Sequence, residues 1–212
     1  MTDDGFEATF RIRVARSAAW TRLVGGRDDI DPGTHLWLPG FDSQATVVSA
    51  EATSELRATK DEEPCLGTDI VVTLEDDESG ARIRVVQSRF GDWLAPHREV
   101  MAVGWQHIVA DLQAFLATGV HARRHLRGWG DLGADTDAVD GGVRLGAVRS
   151  DGLAGRLGLI DGDLLTTLAG APVTTLAELA TVLRVIAADP RPTAAEWIRD
   201  GELVGAGPVP VS

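Results

Sequence analysis

Residues 96–119 read PHREVMAVGWQHIVADLQAFLATG. Met101, Trp105, Ile108, Leu112 and Phe115 recur at alternating steps of four and three, the spacing of one helical face. Pro96 suits a first helical turn, where its missing N–H costs nothing, and Gly119 suits the left-handed residue just past a helix end. The residues before this helix read largely as strands able to wrap it. The residues after it read as a second, separate module.

Upstream, Phe6, Ala8, Phe10, Ile12 and Val14 alternate with polar residues, as in a half-buried strand. Ser17 is a candidate cap for a short helix that turns Trp20 and Leu23 inward and ends at Gly25 and Gly26. DDIDPGTHLWLPGFD reads as a loop anchored by Trp37, Leu38 and Phe41. Strands are expected at 44–50, 55–60, 68–75 and 81–90, the last two joined by the charged turn DDESG. In the final strand Ile83 and Val85 share a face with Gln87 and Arg89.

From His121 to Asp140 the chain becomes charged and glycine-rich, so the boundary is placed near Arg124, giving domains 1–124 and 125–212. Beyond it, VRLGAV reads as a strand and DGLAGRLG as a turn and short helix. Thr175 and Glu178 form a capping box opening an amphipathic helix to about Ile186, and Asp200–Gly201 is a two-residue hairpin turn. On that helix Leu176, Ala180 and Leu183 form one stripe, and Leu179, Val182 and Ile186 another. One should face the core and the other a groove.

The 212 residues carry a formal charge of -12, which opposes nucleic acid and anionic membrane surfaces. Cys65 is the only cysteine, so no intrachain disulfide forms. MTDDGFEATF lacks the basic and apolar segments of a secretory signal, and no apolar run is expected to reach the roughly 20 residues that cross a bilayer. A cytoplasmic location is expected.

Catalytic signals are weak. His121 and His125 have a spacing two zinc ligands use, without a third ligand nearby. Cys65 follows proline in an acidic loop that disfavours a thiolate. No nucleophile elbow or phosphate loop occurs. No metal or cofactor is expected.

The order of elements, carried by FEATFRIRVARSAAWTRL, GTDIVVTLEDDESGARIRVVQSRFGDW and GWQHIVADLQAFLATGV, resembles START-like (SRPBCC) helix-grip proteins, in particular the branch named after activators of the heat-shock ATPase. The resemblance implies an α+β fold: an antiparallel sheet curved over the long helix, with a ligand cavity between them. Met101, Gly104, Trp105, Ile108, Gln87, Arg89 and His97 are its candidate lining. Gly104, inside the helix on the apolar face, costs about 1 kcal/mol against alanine, so ligand space or close packing should accompany it.

GVRLGAVRSDGLAGRLGLIDGDLLTTLAGAPVTTLAELATVLR, with WIRDGE after it, resembles a bacterial-type PDZ domain. That implies a small β-barrel with two helices and a peptide added as a strand beside a helix. The candidate groove residues are Leu132, Gly133, Ala134, Leu176, Ala180 and Leu183. The loop matching the family's carboxylate-binding turn is Trp129-Gly130-Asp131-Leu132-Gly133-Ala134. It departs from the family at Ala134 and sets Asp131 beside the carboxylate site.

Together these features point to a non-enzymatic two-module binding or adaptor protein, taking an apolar small molecule or client in one module and a peptide or protein in the other. One rival is a cyclase- or dehydratase-like enzyme using His97, Glu99 or His35. Another is a regulator of a chaperone ATPase.

Overall fold

A computed structural model describes residues 5–27, 29–122 and 130–211. Arg124, His125 and Trp129 lie outside these, so the His121–His125 pair and the start of the carboxylate loop are not described. The chain forms two compact units, Met1–Leu112 and Gln113–Ser212. The division falls inside the long helix, where Ala114, Ala117, Val120 and Ala122 join the second unit's core.

The first unit contains β1 (Gly5–Ile12), α1 (Arg16–Leu23), β2 (His35–Leu38), β3 (Ser43–Glu51), β4 (Glu55–Lys60), β5 (Asp69–Asp77) and β6 (Gly80–Ser88). A single 3-10 turn (Gly91–Trp93) leads into the long helix α2 (Leu94–Thr118). The sheet runs β1-β6-β5-β4-β3-β2, antiparallel at every pairing. Alternation builds its inner face: Ile70, Val72 and Leu74 on β5 and Ile83 and Val85 on β6 are all buried. Trp105, Ala110 and Leu112 of α2 are buried as well.

Three local expectations change. HLWL, read as loop, is strand β2, pairing His35 to Leu38 with Ser43 to Thr46. Ser17 does not cap α1. Ala15 stands at the cap with no side-chain bond, and the Ser17 carbonyl instead accepts from the Thr21 hydroxyl at 3.0 Å. Arg89 leaves the inner face, because its φ of 66° breaks the alternation and turns it to solvent, which brings Phe90 inward.

The end of α2 follows expectation. Gly119 is left-handed at φ 77°, and its N–H donates to the Phe115 carbonyl at 2.7 Å. By length and composition α2 does reach the measure of a bilayer-crossing helix, contrary to the sequence expectation. Its apolar residues are shared between the cores of two units, while Val100 and Val103 are exposed.

The second unit contains β7 (Asp135–Val139), β8 (Gly142–Gly146), α3 (Leu153–Arg156), β9 (Leu164–Leu168), β10 (Ala171–Pro172), α4 (Leu176–Ala188), β11 (Thr193–Arg199) and β12 (Glu202–Val209). Its antiparallel sheet runs β12-β11-β9-β8-β7, with β10 beside β9. The expected small barrel is not formed among the described residues: β7 and β12 are the two ends of the sheet. The hairpin between β11 and β12 turns on Asp200 (φ 52°) and Gly201 (φ 84°), the two positive φ values a type I′ turn requires.

The capping box forms. The Thr175 hydroxyl accepts the Glu178 N–H at 3.2 Å, and the Glu178 carboxylate accepts the Thr175 N–H at 3.0 Å. Thr175→Ala is expected to cost about 1 kcal/mol of second-unit stability, measurable by urea unfolding. No change would mean that Glu178 alone holds the helix start.

The inward stripe of α4 is Leu179, Val182 and Ile186, joined by Val185, against Leu145, Leu165, Leu168 and Trp197. Leu176, at 45% exposure, and the half-buried Ala180 are left on the outer side, whereas the half-buried Leu183 of the same expected stripe packs against the core.

Candidate functional site

In the first unit, the apolar face of α2 holds Met101, Gly104 and Ile108 half-buried and Trp105 buried. The Trp105 indole stacks on Phe6 at 6.0 Å between ring centres and meets Phe41 edge-on at 5.8 Å. Phe6 in turn meets Phe90 edge-on at 5.9 Å. These are favourable aromatic geometries. One residue before Trp105, nothing outside its chain neighbours and its own helix backbone lies within 4 Å of where a Cβ on Gly104 would stand.

Gln87 on β6 is directly opposite Phe6 in the β1–β6 register, so both side chains leave the same face of the sheet. Gln87 is 1% exposed. Its Nε2 donates to the Thr68 hydroxyl at 2.8 Å, and that hydroxyl donates to the Cys65 carbonyl at 2.7 Å. The Thr68 proton is therefore already committed, which fixes the Gln87 amide with nitrogen toward Thr68. Its Oε1 is left with no hydrogen-bond partner among the described residues, and so is the buried Nε1 of Trp105.

The other two candidates for this site lie elsewhere. Arg89 is exposed and pairs with Asp69 at 3.3 Å. His97 is exposed on α2, as is Glu99. His35 bonds Asp61 through Nδ1 at 3.2 Å with its side chain 67% exposed. Burial, only partly offset by Lys60, holds the Cys65 thiol above its ordinary pKa, which keeps it from acting as a thiolate. Among the described residues no three His, Cys, Asp or Glu side chains gather in a way that could hold a metal ion.

Phe6, Phe90 and Thr68 are neighbours of these candidates that the sequence pattern alone does not assign to them. The alternation of β1 already sets Phe6 inward. Thr68 and Phe90 come near only through the strand register and the left-handed Arg89.

In the second unit, the edge strand β7 exposes Asp135, Thr136, Asp137 and Ala138. It lies near α4. The loop before it approaches α4 closely: a Cβ on Gly130 would stand 2.3 Å from the Leu183 carbonyl oxygen. Leu132 is in the core at 3% exposure, Gly133 is buried, and Ala134 packs against the core.

Asp131 lies exposed in the loop before β7. Its carboxylate accepts the Gly133 N–H at 2.8 Å and pairs with Arg149. The Gly133 N–H and then Arg149 hold the Asp131 carboxyl below its ordinary pKa. The Gly133 N–H is thus already used within the chain.

No family model and no curated protein matches the chain. Solved structures match about half of the chain, each at a TM-score below 0.5. A protein of Staphylococcus saprophyticus is 16% identical, with a TM-score of 0.42, over 55% of this chain and 94% of that one. An AHSA1-like protein of Aeromonas hydrophila is 15% identical, with a TM-score of 0.39, over 51% and 88%. The Aha1 dimer of Colwellia psychrerythraea is 16% identical, with a TM-score of 0.34, over 51% and 95%.

Proposed function

We propose that the chain is a non-enzymatic two-module binding protein whose first unit holds a mainly apolar small molecule against the inner face of α2. The observation that carries this is Gly104. A glycine inside a helix costs about 1 kcal/mol relative to alanine. Two ordinary reasons for keeping one are a left-handed backbone and a close neighbour. Gly104 has neither: its φ is not positive, and outside its chain neighbours and its own helix backbone no atom lies within 4 Å of a Cβ built there. Space for a guest, beside the aromatic face of Trp105 and Phe6, is the reason that remains.

Two variants separate this from simple packing. Gly104→Ala is expected to stabilise the first unit by about 1 kcal/mol. Gly104→Leu should fold equally well and fill the space. Titrated with the apolar dye Nile red, the natural protein is expected to bind saturably and Gly104→Leu at least about tenfold more weakly. Equal binding by both would remove Gly104 from the site and the proposal with it.

A peptide groove in the second unit, lined in the sequence reading by Leu176, Ala180 and Leu183, is favoured by the edge strand β7 near α4, on which Leu176 is exposed and Ala180 half-buried. This PDZ-like reading is of a groove that takes the body of a peptide or a protein partner, not a free C-terminus, because Asp131 occupies the loop. Asp131→Ala frees the Gly133 N–H and removes the opposing charge. That variant is expected to gain binding to a C-terminal hydrophobic peptide library that the natural chain does not bind. Retention of such peptides by the natural chain would contradict the assignment. The reading includes a cytoplasmic location, no cofactor, no nucleic acid and no membrane insertion, on the grounds of charge and composition.

A further inference from the structure

We infer that the guest of the first unit carries a hydroxyl group, and that Gln87 and Trp105 recognise it. The inference rests on the small-molecule reading of that unit and narrows the class of ligand from apolar molecules in general to apolar alcohols or phenols.

A buried polar atom without a partner is costly, and native proteins keep few of them. Three such atoms on the inner face are Ser43 Oγ, Gln87 Oε1 and Trp105 Nε1, and the last two are connected through one residue. Phe6 is opposite Gln87 in the strand register, and the Trp105 indole stacks on Phe6. One of the two atoms is an acceptor, the Gln87 Oε1, and the other is a donor, the Trp105 Nε1–H. The acceptor identity is set within the chain by the commitment of the Thr68 proton to Cys65.

Gln87 is 1% exposed and Trp105 is 5% exposed, so bulk solvent does not answer either atom. Thr68 apart, the neighbours are apolar: Phe6 and Phe41 against the indole, Phe90 against Phe6, and Ile70 opposite Gln87 on its other side. A guest that suits such a site is apolar over most of its surface and brings one group that both donates and accepts. A hydroxyl does both. A ketone or an ether accepts only and leaves Gln87 Oε1 unanswered. A carboxylate also only accepts and would place a charge in an apolar site.

The test uses the full chain with 4-alkylphenols of increasing chain length, each paired with its methyl ether, followed by isothermal titration calorimetry. The ether keeps the shape and removes the donor. The phenols are expected to bind at least about tenfold more tightly than their ethers, since an unpaired buried acceptor discriminates strongly. Gln87→Leu is expected to bring phenol and ether to equal affinity, and Trp105→Phe, which keeps the stacking ring, to weaken both members of each pair.

Ethers binding as tightly as phenols would overturn the hydroxyl inference and leave the apolar holder standing. Binding by no member of the series would overturn the holder and the inference together. A Gln87→Leu variant that still prefers phenols by the same factor would remove Gln87 from recognition. Thermal melts of both variants check folding, and an unfolded Gln87→Leu is replaced by Gln87→Met for the same comparison.

Discussion

Replacing Asp163 with alanine is expected to destabilise the second unit by about 3 kcal/mol, the low end for breaking one side of a buried ion pair. Asp163 is 2% exposed and is the hub of that unit's polar interior. Arg199 grips it with two bonds, Nε to Oδ1 at 2.8 Å and a second guanidinium nitrogen to Oδ2 at 2.7 Å. The Ile160 N–H donates to the same carboxylate at 2.8 Å. Removing the carboxylate leaves that N–H and the guanidinium short of partners. The low end applies because the Arg199 side chain keeps 31% exposure, and because the Gly158 carbonyl still accepts from it at 2.8 Å.

Burial alone would raise the Asp163 pKa, but the Arg199 bonds and the Ile160 N–H together bring it below the ordinary value. A lowered folded-state pKa means stability that is fully present above the unfolded value, about 3.9, and lost as pH falls through the folded one. The difference between natural protein and Asp163→Ala should therefore be constant near neutrality and shrink below about pH 4. Hydrogen exchange followed by mass spectrometry reads this locally: protection should fall in β8, β9 and β11 and hold in β4, β5 and β6. Uniform loss across both units would mean that they unfold as one.

Gly40→Ala is expected to cost the first unit about 3 kcal/mol. Gly40 comes after β2 with φ at 79°, a conformation that costs an L side chain about 1–2 kcal/mol. An added Cβ would also stand 2.5 Å from the Ile108 carbonyl oxygen of α2 and 3.3 Å from the Leu112 Cβ. Displacing a packed backbone adds about 1–3 kcal/mol. The same approach lets the Gly40 N–H donate to the buried Asp111 carboxylate at 3.0 Å, and that bond lengthens if the loop withdraws. Urea unfolding with exchange protection in β2 and β3 checks this. A loss under about 1 kcal/mol would show that the loop moves off the helix at little cost.

Much of the fold is legible in the sequence because it rests on period. The two-residue alternation of Ile70, Val72 and Leu74 and the four-three steps through Trp105 each specify a buried face before any contact is known. Thr175 with Glu178, and Asp200 with Gly201, are local signals that act within four residues. The features that are not legible depend on partners far along the chain. HLWL has the length of a strand but lies between Pro32 and Pro39, and only pairing with β3 makes it one. Arg89 departs from alternation through a single positive φ that its side chain does not announce.

The same division holds for the candidate sites. Met101, Gly104, Trp105 and Ile108 follow from helix spacing, and Gln87 from strand alternation, so all five are readable from sequence. Arg89 and His97 are placed with them by the same rules, yet both are exposed. Leu132 is assigned to the groove by loop order and lies in the core. The bond from the Gly133 N–H to Asp131 needs the loop's folded path, although the charge itself is visible in the sequence.

The most direct measurement is native mass spectrometry of the full chain as purified from its host, beside Gly104→Leu prepared the same way. The natural protein is expected to carry a small-molecule mass increment that collisional activation removes, and the variant none. A natural protein that carries no increment and gains none when Nile red is added, or a variant that carries the same increment, would contradict the small-molecule reading.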